Sequence, residues 1–101
     1  MRKLFKKLWE FLFPRKFKII CLEERPQTLT LDTIYIIGDW AICFICPCGC
    51  KAYIQLNTIP STSPKWYYKI KLGKVSIFPS IRRTIGCRSH FWITKGNLYW
   101  C

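Results

Sequence analysis

The run Cys46-Pro47-Cys48-Gly49-Cys50 constrains this chain more than any other feature, because three thiols within five residues are not what core packing produces. Buried structural cysteines scatter, whereas thiolates that converge on one metal ion arrive together on a tight turn. Pro47 has a fixed φ and Gly49 is free to take φ > 0, so the segment is suited to doubling back. A tetrahedral thiolate site needs a fourth ligand. Cys87, the only cysteine between Cys50 and Cys101, is the natural candidate, on a second loop entered through Gly86. The expected metal is Zn²⁺. With four cysteine ligands it is structural, since a closed site leaves no position for water or substrate. Cys43 makes a further CxxC with Cys46, but it lies in the apolar run Ile42–Ile45 and reads as a core residue. The competing reading of the cluster is free buried thiols or a redox pair.

A chain of 101 residues is one small domain, at a size where a single hydrophobic core is only modestly stabilising and a metal tie adds substantially. Half of the residues are hydrophobic and 17% aromatic, which points to a globular rather than a disordered chain. Seven cysteines is an odd count for a disulfide framework. The apolar stretch Leu8 to Phe13 contains Glu10 and precedes no small-residue cleavage site, so no signal peptide is expected. No segment approaches the ~20 apolar residues that span a bilayer. A reducing cytoplasm, with thiolate–metal chemistry, is the expected compartment.

The net charge is +12, and its distribution is uneven. Arg2, Lys3, Lys6, Lys7, Arg15, Lys16 and Lys18 crowd the first 18 positions, and no carboxylate side chain follows Asp39. That absence removes paired-carboxylate glycosidase chemistry, carboxylate-held magnesium and the HExxH metalloprotease pattern.

Leu4, Phe5, Leu8, Trp9, Leu12 and Phe13 recur at helical spacing, with Lys3, Lys6, Lys7 and Glu10 on the other side. Residues 1–13 therefore read as an amphipathic helix ended by Pro14. It lies either on an anionic membrane surface or partner, or on the domain's own sheet. Beyond it the chain is strand-rich. Phe17–Leu22, Thr28–Ile37, Trp40–Ile45 and Lys51–Asn57 are dense in β-branched and aromatic residues, with Pro26, Gly38-Asp39 and the cysteine turn between them. After a connector over 57–64, two hairpins are expected: Trp66–Leu72 with Val75–Phe78 about Gly73-Lys74, and Phe91–Thr94 with Leu98–Trp100 about Lys95-Gly96-Asn97. The expected fold class is α+β and mostly antiparallel β. Residues 1–16 form the basic helical unit and 17–101 the zinc-binding β-rich domain.

His90 is the only histidine and stands three residues after the presumed ligand Cys87. It is either a general base, for which imidazole is suited near neutrality, or a ligand in a Cys₃His site. A base needs a nucleophile. Ser80 in Phe78-Pro79-Ser80-Ile81, Ser89, or a cysteine not used by the metal are the candidates. Ser89 is awkward, because neighbours on an extended segment point to opposite faces. A third group would have to be Asp32, Asp39 or a glutamate; a dyad, or a backbone carbonyl orienting His90, serves equally. The cations Lys65, Lys69, Lys71, Lys74, Arg82, Arg83 and Arg88, interleaved with Trp66, Tyr67, Tyr68 and Phe91, would also suit nucleic acid, although ordinary strand alternation explains the same pattern.

Several of these segments together resemble a known family. Phe44-Ile-Cys-Pro-Cys-Gly-Cys50, Phe78-Pro-Ser-Ile81, Cys87-Arg-Ser-His-Phe-Trp-Ile93 and Gly96-Asn-Leu-Tyr-Trp100 are similar to the bacterial and phage family catalogued as domain of unknown function 6527. That family includes the BubE proteases of bacterial ubiquitination-like (Bub) operons. The resemblance covers roughly residues 29–101; Lys51 departs from it, standing where a further glycine is common. It implies a zinc-stabilised serine hydrolase that processes or deconjugates a ubiquitin-like protein. Its metal ligands would be Cys46, Cys48, Cys50 and Cys87, and its reactive pair Ser80 and His90. Ser89 falls where the family tolerates alanine, which favours Ser80 as nucleophile. The rival expectation is a non-enzymatic zinc module that holds nucleic acid or an anionic partner on its basic surface.

Overall fold

From Phe17 onward no stretch of the sequence repeats its apolar residues at helical spacing, and the computed structural model follows that pattern. It describes residues 16–61, 63–83 and 86–101, and every regular element among them is a strand. The expected α+β class is corrected to all-β: eight strands form two four-stranded sheets, and no helix occurs among the described residues. The physical reason is composition, since each described segment is built of β-branched and aromatic residues with turn residues between them. The amphipathic segment 1–13 lies outside the described residues. Among the described residues no helix is long and apolar enough to cross a membrane.

Sheet one has the order β1 (Lys18–Leu22), β2 (Thr33–Ile37), β3 (Ala41–Ile45), β4 (Tyr53–Asn57). β1 and β2 are parallel, the other pairs antiparallel. Sheet two is an antiparallel meander of β5 (Tyr67–Lys71), β6 (Lys74–Arg82), β7 (His90–Thr94) and β8 (Asn97–Trp100). Its first hairpin turns at Leu72-Gly73, one residue earlier than expected, and both residues take positive φ (53° and 72°). That is the two-residue turn whose twist matches the flanking strands.

The sheets bury a common core, to which Ile34, Ile42 and Phe44 contribute from one side and Ile77, Phe91 and Ile93 from the other. Phe44 meets Phe91 edge to face across it, with ring centroids 6.2 Å apart. At one corner the chain passes between the sheets: Lys16 bridges Asn97, and the Phe17 N–H donates to the Gly96 carbonyl at 2.8 Å before β1 begins. β2 and β3 are buried on both faces, because Tyr35, Ile37, Ala41 and Cys43 form a second cluster behind sheet one. This explains why the runs TIYII and AICFI, apolar but for the buried Thr33, lack the alternation of a half-exposed strand.

β6 is the irregular strand. Ile77 pairs with Ile93 and Ile81 with Phe91, so four residue steps on β6 face two on β7. The three intervening residues, Phe78-Pro79-Ser80, stand against Trp92 alone and bulge. Proline has no N–H to lose there, and a bulge re-aims the side chains that it carries.

Candidate active site

The β6 bulge and the first residue of β7 bring two polar side chains together. Ser80 Oγ lies 2.8 Å from His90 Nε2, both groups half-buried. The strands themselves set this geometry, since Arg82 and His90 form the cross-strand pair two residues past the bulge. Trp66, just ahead of β5, donates its indole N–H to the Ser80 carbonyl at 3.4 Å and so steadies the bulge from outside. No hydrogen bond joins the imidazole to a carboxylate among the described residues. The Asp32 carbonyl accepts from the Lys18 N–H (2.9 Å) at the start of β2, and the Asp39 carbonyl accepts from the Thr58 hydroxyl (3.2 Å) in the β2–β3 turn. Among the described residues Ser80 and His90 thus form a hydrogen-bonded pair.

Ser89 faces the other way. Its hydroxyl is 3.0 Å from the Cys87 sulfur, so the neighbours Ser89 and His90 serve opposite sides of their segment, as extended backbone requires.

Those thiols form the second constellation. The Sγ atoms of Cys46, Cys48, Cys50 and Cys87 all lie within 4.8 Å of one another and could hold a metal ion; His90 is not among them. Cys46 follows directly on β3 and is fully buried in the core, with its N–H bonded to the Ala52 carbonyl (2.8 Å). The turn then reverses through Gly49 at φ 97°, the freedom that the sequence demanded, and the Cys50 N–H donates to Cys48 Sγ (3.4 Å). Cys46 Sγ is 3.4 Å from Cys48 Sγ and 3.5 Å from Cys87 Sγ. Tetrahedral zinc with Zn–S near 2.3 Å separates its sulfurs by about 3.8 Å, so the cluster fits such an ion with small adjustment. Cys43 stands apart, as its core assignment required. Two strand positions from Ile45 and three from Cys46, it points to the rear cluster and accepts the Tyr53 hydroxyl (3.0 Å). The CxxC of Cys43 and Cys46 is therefore no pair.

The thiols differ in their electrostatics. Burial, chiefly, pushes Cys46 up to about 12. The Ser89 hydroxyl pulls Cys87 down to about 6 against a smaller opposing effect of burial. Arg83 places its guanidinium 3.5 Å from the sulfurs of both Cys50 and Cys87. Arg83, expected on the basic surface, instead faces the thiols; its signal in the sequence is a cation four residues before Cys87 in a stretch with no acid to pair with it. The bond from Trp66 to Ser80 carried no sequence signal at all. Among the aromatics grouped with the cations, Phe91 is fully buried and Trp66 packs on the core, while Tyr67 and Tyr68 remain exposed.

A cleft of about 270 Å³ between the sheets is lined by Tyr53–Leu56 of β4, by Trp66, whose indole bonds the Ser80 carbonyl, and by Ile81, Arg82 and Arg83, which follow Ser80 on β6. A family model described as "bacterial ubiquitination-like system serine protease (BubE)" matches residues 21–101. The chain belongs to the BubE family. The match covers both constellations, so the serine–histidine pair and the four thiols both lie within the BubE domain. No curated protein and no solved structure matches the chain.

Proposed function

We propose that this BubE-family protein is a serine peptidase in which Ser80 is the nucleophile, His90 the general base and zinc a structural brace. The observation that carries the reading is the 2.8 Å contact between Ser80 Oγ and His90 Nε2. That distance lies within the range over which a base takes a proton from its nucleophile. Ser80 Oγ adds to the scissile carbonyl while its proton passes to His90 Nε2. The imidazolium then gives that proton to the leaving amine as the C–N bond breaks, leaving an acyl-serine. Water, deprotonated by the same nitrogen, opens the ester and restores the pair.

Cys46, Cys48, Cys50 and Cys87 would hold Zn²⁺ as four thiolates, with no open coordination position. Bound there, the ion ties the β3–β4 turn to the β6–β7 loop. Arg83 would offset part of the negative charge of a tetrathiolate site. The family description supports a substrate within a ubiquitination-like system. The substrate in this reading is a bacterial ubiquitin-like protein, processed at its C-terminal tail or released from its conjugates. Hydrolysis of a ubiquitin-like protein carrying a C-terminal extension tests it, and full activity in Ser80→Ala or His90→Ala would sink it.

A further inference from the structure

Two strand edges face each other across the cleft, and on each some backbone groups have no backbone partner among the described residues. On β4, the Cys46 N–H bonds to the Ala52 carbonyl and the Thr58 N–H to the Trp40 carbonyl. The even-numbered residues of this strand therefore aim their backbone groups at β3, and the odd-numbered ones aim outward. Asn57 spends its outward carbonyl on the Trp66 N–H (2.8 Å). The N–H and C=O of Tyr53 and Gln55 have no backbone partner among the described residues.

Across the cleft, β5 accompanies β6 only as far as the Tyr67–Phe78 pair. Past that point no strand among the described residues lies on the outer side of β6. The Arg83 N–H bonds to the Ser89 carbonyl on the β7 side, so the backbone groups of Arg82 point into the cleft. Ser80, whose carbonyl also faces outward to Trp66, stands at the head of this vacant lane.

An open edge of this kind is a template for another chain, and folded proteins usually blunt it with charge. The outer edge strand of sheet two is blunted in this way, by Lys69 and Lys71 on β5. The segment Tyr53-Ile54-Gln55-Leu56 carries no charge, and the inward side chains Ile54, Leu56 and Ile81 give the lane an apolar floor.

We propose that the substrate tail binds in extended form as an added strand between β4 and the outer half of β6. It pairs its main chain with Tyr53 and Gln55 on one side and Arg82 on the other, and so delivers its scissile carbonyl to Ser80. This rests on the peptidase reading above. Recognition is of peptide backbone, with alternate residues of the tail turned to each edge.

Amide hydrogen exchange on full-length Ser80→Ala protein, mixed with a bacterial ubiquitin-like protein carrying a C-terminal extension, tests the proposal. Exchange at Tyr53, Gln55 and Arg82 is expected to slow by roughly tenfold or more, the effect of one well-made hydrogen bond. Protection elsewhere without these three amides, or no protection at all, overturns it. A second arm gives wild-type protein a series of synthetic tail peptides, each N-methylated at one position. Loss of turnover of roughly tenfold at each of several successive positions, and none beyond them, supports a strand paired on both edges. Loss at no position, or at a single isolated one, overturns it. Labelling of Ser80 by a fluorophosphonate separates the two ideas. Absence of both labelling and hydrolysis fails the peptidase, whereas labelling and hydrolysis without amide protection fail the added strand alone.

Discussion

The thiol cluster and the Ser80–His90 pair lie close in sequence, yet they are held by different means. The Ser80–His90 pair belongs wholly to sheet two, on neighbouring strands that the β6–β7 ladder already keeps together. The cluster joins both sheets: Cys46, Cys48 and Cys50 come from the β3–β4 turn of sheet one, and Cys87 comes from the β6–β7 loop of sheet two. The ladder alone brings Ser80 to His90. In the proposed reading a metal held by the cluster would set the spacing of β4 against β6, hence the cleft, so that reactivity and substrate capture would have separate supports, and this division can be broken from either side.

The largest effect falls on the pair. Ser80→Ala and His90→Ala should each lower hydrolysis of a ubiquitin-like substrate by roughly a thousandfold or more, the loss seen when a member of a catalytic serine–histidine unit is removed. The thermal transition should move little, as read by calorimetry.

Next come the ligands. Cys46→Ser and Cys87→Ser should abolish stoichiometric zinc and lower the transition strongly. A site saturated at a thousand times its Kd contributes about 4 kcal/mol that the variants lose. Below the lowered transition, protein hydrolysis should fall further than fluorophosphonate labelling of Ser80, because the cleft is lost before the pair. Equal losses would show that the cluster holds the pair as well.

A smaller, graded effect is expected with pH. Without metal, burial holds Cys46 up at about 12, so at neutrality it carries a proton that zinc must displace. Cys87, drawn down to about 6 by Ser89, is then mostly thiolate. Zinc binding therefore releases protons, and affinity rises with pH. On acidification it falls, more steeply below about 6 as Cys87 also takes up a proton. Competition with a chromophoric chelator across that range measures the slope.

The smallest effect concerns Ser89. Ser89→Ala removes the hydroxyl 3.0 Å from Cys87 and should weaken zinc binding by about tenfold, a typical loss for a group behind a metal ligand. Its cost in hydrolysis should be far below that of Ser80→Ala. A thousandfold loss would reassign the nucleophile.

Much of the site was legible because its signals are local. Three cysteines on a Pro/Gly turn announce convergence whatever surrounds them, and the parity of Ser89 and His90 on an extended segment already set them on opposite sides. Strand positions were legible from β-branched and aromatic density, and the turn at Lys95-Gly96 from its residues. Other features were not. The helix expected over 1–13 suggested an α+β class, whereas the described chain is all-β. β6 ends at Phe78 by propensity, because proline is a breaker, yet it continues to Arg82 around a bulge that sheet pairing supports. The parallel pairing of β1 with β2 left no trace in composition, since register across a 10-residue connection depends on which faces are buried.

The sequence by itself determined the chemistry on offer: four thiols able to converge, one imidazole, two serines as candidate partners for it, and no acid after Asp39. The tertiary structure alone decided the pairings. It gave Ser80 to His90 and Ser89 to Cys87, turned Cys43 to the rear of sheet one, and left the edges of β4 and β6 open across one cleft. The physical reason is that residue type and turn propensity act within a few positions, whereas contact between strands depends on register, bulge and the packing of one sheet on another.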